Sequence, residues 1–406
     1  MRQSLGVFPA QFWYLLGGQL TNRLAGFVTP FMTIYLAADR GYSAEFTGAV
    51  VALFGAGCLL AAVIGGSLTD RIGRRPVIFW SELLAGACTV AFALAGGRIL
   101  IAASLFAIGL FSTMPRPAMA AVIVDIVPQA EVMRAYSLSH WANNVGMAIA
   151  PVLAIAFAAG GLRPLFIADA ATTAAFGAIM YLTLPESRPI AAAGAVRPKA
   201  GYAQVVRDAR FMLFTVMVLA IAALLTQYYV TLPLAMHAVG LTKTAYATAL
   251  VVNTVMVTVL QVPLAQLTKS ADPWLVLMAG ALLVGVGFGA NMWVYSALGY
   301  AATTAVWTAG EMLCVPAMAA ITALLSPAHA RGRYQGVNSL AFTLAAVATP
   351  VAGASAFTAG GSRAVWLGSL VIGLAAAIGL ALLRPKKRPS EAAGSAAVSV
   401  EEAVGQ

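Results

Sequence analysis

Apolar runs of about 20 residues, the length a helix needs to cross a hydrocarbon core, recur along nearly the whole chain. Of its 406 residues 61% are hydrophobic and 9% charged, with a mean hydropathy of +0.87, against about a quarter charged in a soluble domain. That much apolar surface excludes a soluble globular fold, and its spread excludes a single anchor carrying a soluble domain. The first run starts near Phe8 and passes Leu36 with Arg23 inside it, which is too long for a cleaved leader, so it reads as a retained helix. Breaks at charged and Gly/Pro-rich points give twelve helices, over 9–37, 46–69, 76–96, 99–126, 135–159, 163–184, 211–236, 245–268, 274–291, 293–325, 335–358 and 364–383. An all-α membrane protein of two six-helix bundles is expected, over 1–184 and 211–383, joined by a cytoplasmic linker over 185–210. The segment 384–406 cannot bury a core and is expected to be a disordered tail.

Twelve helices put both termini on one side of the membrane. Seventeen of the 24 basic residues then fall in loops of that side, and five, Arg40, Arg98, Arg163, Lys243 and Arg363, fall on the other. By the positive-inside bias the termini and linker are cytoplasmic, in a multi-pass protein of the cell membrane. The same bias accounts for the net charge of +10 without a nucleic-acid partner, for which no basic-aromatic motif is present. Cys58, Cys88 and Cys314 lie in apolar runs without C-x-x-C spacing, so they read as small core residues, with no disulfide framework and no metal site. No cofactor is expected.

An internal repeat organises the chain. Pro117-Ala-Met-Ala-Ala121 returns as Pro316-Ala-Met-Ala-Ala320, and the same offset of 199 places Pro128 on Pro327, Arg134 on Arg333, Pro151 on Pro350, Gly41 on Gly240 and Phe12 on Phe211 without a gap. Alanines could coincide by composition; prolines and arginines in register could not. Two like halves with a substrate site between them near the midplane suit a rocking transporter.

Between the second and third helices runs Gly65-Gly-Ser-Leu-Thr-Asp-Arg-Ile-Gly-Arg-Arg-Pro76. It resembles the signature loop of the major facilitator superfamily, G-x-x-x-D-R-x-G-R-R, with Gly66, Asp70, Arg71, Gly73, Arg74 and Arg75 at the matching positions. The glycines permit close helix packing and a tight turn. The resemblance implies a conformational latch, with Asp125 at the end of the fourth helix as partner for Arg74. The second copy, Leu267 to Pro273, is degenerate. Asn144-Val-Gly-Met-Ala-Ile-Ala-Pro151 looks like a loosened exporter-associated motif, and Met32-Thr-Ile-Tyr35, Arg116-Pro-Ala and Leu184-Pro-Glu-Ser187 also resemble the twelve-helix drug:proton antiporter branch.

A charge at the bilayer centre costs roughly 2.5–3.5 kcal/mol on insertion scales, so a charge within a span is a functional candidate. Arg23, Arg116 and Glu311 qualify, and the repeat pairs them with Ala222, Val315 and Ser112, so the shared scaffold demands none of them. Helical spacing groups Gln19, Asn22 and Arg23 in the first helix, His140, Asn143 and Asn144 in the fifth, and Trp307 and Glu311 in the tenth; Gln227, Tyr228, Tyr35 and Asn338 add polarity. Burial and a neighbouring arginine act in opposite directions on a carboxylate, which makes protonation of Glu311 switchable. Glu311, Arg116 and His140 are therefore candidates for proton coupling. Arg23, Arg116, Asn22, Gln19, Tyr35, Asn143, Asn144, Gln227, Tyr228, Trp307, Glu311 and Asn338 are candidates for binding substrate. Arg23 and Arg116 are expected to hold an anionic group or to pair with Glu311 when the site is empty; a buried ion pair that only fixes packing is the competing reading. Glu82 and Asp169 are expected to be peripheral, Asp169 pairing with Arg163.

The function expected is proton-coupled efflux of small amphipathic compounds by a monomer, with small molecules, protons and the bilayer as partners. Import of an organic anion by symport is the alternative. No H-E-x-x-H, G-x-S-x-G or G-x-x-x-x-G-K-[ST] pattern supports an enzyme or a nucleotide-driven pump.

Overall fold

The computed structural model describes residues 7–26, 28–157, 162–185, 202–229 and 231–385. Most of the expected linker, 186–201, and of the expected tail, 386–406, lies outside the described residues. The α-helices are α1 (Ala10–Leu24), α2 (Val28–Ile34), α3 (Ala44–Ile72), α4 (Arg74–Leu94), α5 (Arg98–Thr113), α6 (Pro115–Ile126), α7 (Val132–Phe157), α8 (Leu162–Thr183), α9 (Tyr202–Arg207), α10 (Ala209–Thr226), α11 (Thr231–Ala238), α12 (Lys243–Leu267), α13 (Pro273–Ala290), α14 (Ala297–Leu325) and α15 (Arg331–Leu383).

These make twelve spans, but several are not the continuous helices expected. The first is α1 and α2, interrupted after Leu24 and continued by a π-helical turn at Tyr35–Asp39. The seventh is α10 and α11, joined by a 3-10 turn at Gln227–Tyr229. The fourth is α5 and α6, interrupted at Met114 ahead of Pro115 and Pro117, which cannot donate backbone hydrogen bonds. The last two spans are the halves of α15, separated at Gly361, whose φ of 69° ends the first of them. Among the described residues nine helices are long and apolar enough to cross a membrane by composition alone, the first, fifth and eleventh spans not being among them.

The repeat is visible in the backbone. Helices begin at Ala10 and Ala209, Ala44 and Lys243, Arg74 and Pro273, and Arg98 and Ala297, and α6 and α14 end at Ile126 and Leu325, each pair 199 apart. Gly41 and Gly240 both take positive φ, 66° and 78°, where a side chain would be strained. Ser43 then accepts from Phe46 N (3.3 Å) and Thr242 from Ala245 N (3.4 Å), equivalent N-caps on α3 and α12. Gln335 Nε2 donates to the Tyr136 hydroxyl at 3.4 Å. These two are themselves 199 apart, so they straddle the pseudo-two-fold relation between the halves.

The halves meet most closely at the end of the bundle that carries the signature loop. α3 packs on α15, and α7 packs on α12 and α14. A Cβ on Gly66 would stand 2.5 Å from Gly332 O, and one on Gly336 would stand 2.8 Å from Ala62 O. The two backbones touch with no space for a side chain. α9 seals this joint: the Tyr202 hydroxyl donates to Val63 O, and burial pushes the phenol up to about 12.

Candidate functional site

At the closed end, Asp70 is 1% exposed and, among the described residues, takes its hydrogen bonds from the other half. Its Oδ1 accepts from Gly332 N (2.8 Å), and its Oδ2 from Arg333 N and Arg333 Nη1 (both 3.0 Å). The carboxylate thus caps the N-terminus of the eleventh span, where unsatisfied N–H groups and the helix dipole favour an anion. Arg74 Nε reaches Asp125 at 3.1 Å, and Arg331 Nη1 also donates to Asp125, so Asp125 joins an arginine from each half. Gly73, with φ 106°, makes the turn between α3 and α4. Arg75 stacks 4.0 Å over the Tyr181 ring, and Arg71 is exposed. The second half has no carboxylate at the position equivalent to Asp70, where the repeat places Lys269. Arg134, the repeat partner of Arg333, bonds Glu131 at 3.1 Å, and a Gln266 amide turned to accept takes its Nε (3.1 Å) and Nη2 (2.7 Å).

Toward the middle of the bundle, His140 and Glu311 face each other across the halves, with Nε2 3.8 Å from Oε1. Asn253 Nδ2 donates to Glu311 Oε2 (2.8 Å) and Thr308 Oγ1 (3.0 Å), fixing the carboxylate between α12 and α14. Asn144 Nδ2 donates to His140 O at 3.0 Å and sits against the imidazole. One turn from Glu311, Trp307 stacks on Tyr228 (ring centroids 5.6 Å apart) and on Phe288 (5.2 Å). The carboxylate therefore adjoins an aromatic wall. The Trp307 indole N and the Asn338 amide O are buried without hydrogen-bond partners among the described residues.

A separate group of charges lies wholly in the first half, and here the sequence expectations need correction. Arg23 Nε donates to Asn143 Oδ1 at 2.8 Å, and its electrostatic neighbours are Arg116, Glu82 and Asp169. Asn22 Nδ2 donates to Glu82 (3.4 Å), Thr173 Oγ1 donates to Asn22 Oδ1 (3.3 Å), and Asp169 Oδ2 accepts from Val28 N (3.1 Å). The carboxylates that act on Arg23 are therefore Glu82 on α4 and Asp169 on α8, while Glu311 takes Asn253 and faces His140. Asp169 does not take Arg163, which donates from Nε to the Tyr35 hydroxyl at 3.3 Å. Once the first span breaks, the N–H of Val28 has no helical partner, and Asp169 supplies one.

Several candidates sit apart from both groups. Tyr35 is buried against Phe92 and Phe166, and its hydroxyl accepts from Arg40 (3.0 Å) as well as Arg163. Gln19 is buried between α6 and α7, donating to Met119 Sδ (3.7 Å) and accepting from Ser139 Oγ (2.6 Å). The Gln227 amide is held by the Thr231 hydroxyl at the break in the seventh span. Asn253, Thr173, Arg331 and Arg333 are absent from the sequence-based candidates; Asn253 and Thr173 could be found only as polar residues inside apolar runs.

The sequence matches the pattern described as Major Facilitator Superfamily over residues 15–321 and 228–404. It is 25% identical over 376 residues to the multidrug resistance protein MdtH of Aeromonas salmonicida (strain A449), spanning 91% of this chain and 94% of that protein. It is 23% identical over 378 residues to the protein named uncharacterized MFS-type transporter YqjV of Bacillus subtilis (strain 168), spanning 89% and 90%. Among solved structures it superposes on the Major Facilitator Superfamily transporter FucP in the outward conformation with a TM-score of 0.79, at 14% identity over 93% of this chain and 99% of that one.

Proposed function

Because the chain belongs to the Major Facilitator Superfamily, we propose that this multi-pass membrane transporter exports small amphipathic compounds in exchange for protons, alternating between two faces as its halves rock. The observation that carries the reading is the carboxylate shared across the interface, with Glu311 of the second half 3.8 Å from His140 of the first. A proton arriving on Glu311 removes its attraction for His140 and for a bound substrate, which favours release. Loss of that proton on the other face restores the site. Asp70 and Asp125 hold one end shut while this exchange takes place at the other; with that end cytoplasmic, as the positive-inside bias suggests, the state described faces outward.

The relatives named as multidrug resistance proteins support export, and the Tyr228 and Trp307 rings beside Glu311 support an amphipathic substrate. Import of an organic anion would call on Arg23 and Arg116 as uncompensated cations, and the placement of Glu82 and Asp169 beside them speaks against it. Asn143, Asn144, Gln227 and Asn338 are the polar groups proposed to line the path. The test is flux of a fluorescent amphiphile in proteoliposomes under an imposed pH gradient. Loss of gradient-driven accumulation in Glu311→Gln is expected, and unchanged accumulation would remove Glu311 from the mechanism.

A further inference from the structure

Four ionisable side chains from four spans lie within electrostatic reach of one another near the break in the first span: Arg23 on α1, Arg116 on α6, Glu82 on α4 and Asp169 on α8. Arg23 and Arg116 are exposed. Both lie within spans, where an arginine turned to lipid is costly, and Arg23 bonds Asn143 on α7, the helix that packs on the second half. Their exposure is therefore to the open interior. Glu82 and Asp169 stand behind them, 4% and 8% exposed, on two helices that pack on each other. Glu82 takes the amide of Asn22 and Asp169 the backbone N–H of Val28, so both carboxylates are anchored on the segment that carries Arg23. Two guanidinium and two carboxylate charges cancel. The scaffold requires none of them, since the repeat replaces the four by Ala222, Val315, Ala281 and Gly368.

We infer that Glu82 and Asp169 act through Arg23 and Arg116 to set the sign of charge the interior accepts, as positioning residues that never touch the substrate. With both carboxylates present the two arginines are compensated, and Glu311 is left as the charge the substrate senses. With either carboxylate neutralised, Arg23 becomes a group that holds anions. The inference goes beyond proton-coupled export and requires neither a gradient nor a direction of transport.

The experiment is equilibrium binding of tetraphenylphosphonium and tetraphenylborate, ions of nearly the same shape and opposite charge, to the full chain in lipid nanodiscs, with binding to empty discs subtracted. Glu82→Gln and Asp169→Asn, which keep hydrogen-bonding atoms in place, are each expected to weaken the phosphonium and strengthen the borate by about tenfold apiece, as for a unit charge roughly 10 Å away at an effective dielectric constant near 20, and so to shift the affinity ratio toward the borate by about a hundredfold. Adding Arg23→Gln to Glu82→Gln is expected to return the ratio to within about twofold of the parent, the usual accuracy of additivity. A damaged fold would weaken both probes alike and would not be rescued. A ratio that stays put in both single variants, or a shift that the double variant fails to reverse, overturns the inference. Since no gradient is applied, that result leaves proton-coupled export standing, and a failure of the Glu311→Gln flux test bears on export alone.

Discussion

Replacing Asp70 by Asn should open the closed end of the bundle. The carboxylate takes three hydrogen bonds, at 2.8, 3.0 and 3.0 Å, and every donor belongs to the opposite half. The interaction therefore exists only while the halves touch, and its whole strength counts toward the equilibrium between states. An asparagine can still accept from Gly332 N through Oδ1. Its NH2, however, would face the Arg333 N–H and guanidinium, placing a donor against two donors. Two charge-assisted bonds at about 1.5–3 kcal/mol each are lost, and rehydration of the buried donors on opening adds to the preference for the open state. A net change of about 3 kcal/mol corresponds to roughly a hundredfold shift in the population of the two states. Spin labels on Ile72 (47% exposed) and Ala328, also exposed, sit on opposite halves at this end. With Cys58, Cys88 and Cys314 replaced, pulsed electron resonance should show a long-distance population growing in Asp70→Asn at the expense of the short one. A distance distribution that matches the parent would refute the reasoning, because Asp70 would then contribute equally to both states.

Other outcomes follow from the same geometry. Gly66→Ala puts a Cβ 2.5 Å from Gly332 O, so the same labels should report opening, and Gly66→Val should report more. Tyr202→Phe removes the bond to Val63 O and should loosen the joint by about 1 kcal/mol, read as faster hydrogen exchange in 202–207. Since the Tyr202 phenol is raised above its ordinary value of 10.0, it stays protonated below that pH and its contact should not vary with pH there; a change in protection between neutral and mildly alkaline buffer would contradict this. Arg134→Gln breaks a contact in which only the uncharged Gln266 amide comes from the other half, and should shift the label distances less than Arg333→Gln does.

The helix count and repeat could be read from sequence because both rest on local signals. The turn glycines Gly41 and Gly240 and the caps Ser43 and Thr242 recur at the offset that the prolines and arginines had already set. The breaks in the first and seventh spans did have a signal, Pro30 and Pro233 each at the third position of the helix that follows the interruption, where a proline frees the carbonyl four residues earlier; proline alone does not set whether a span bends or breaks. Asp70 was identifiable by its motif, but its partners Gly332 and Arg333 lie more than 260 residues further on, beyond any spacing argument. Arg23, Arg116 and Glu311 stood out as charges in apolar runs. Which carboxylate each arginine meets depends on how α1, α4, α6 and α8 are rotated about their axes, and periodicity within one helix does not set that rotation. Glu82 and Asp169 were for that reason assigned to the periphery, though they lie beside Arg23.

The contact between Tyr136 and Gln335 has a consequence for how such a molecule can diverge. In a pair of identical chains, a residue on the two-fold faces its own copy, so whatever is chosen there must suit itself. Joining the copies into one polypeptide lifts that requirement, and a phenol can stand opposite an amide. The same freedom lets a charge be kept on one side alone, as with Glu311 against Ser112. Twofold symmetry would double every buried charge in the cavity; the single chain can keep the Glu311 carboxylate without a second one at the equivalent position.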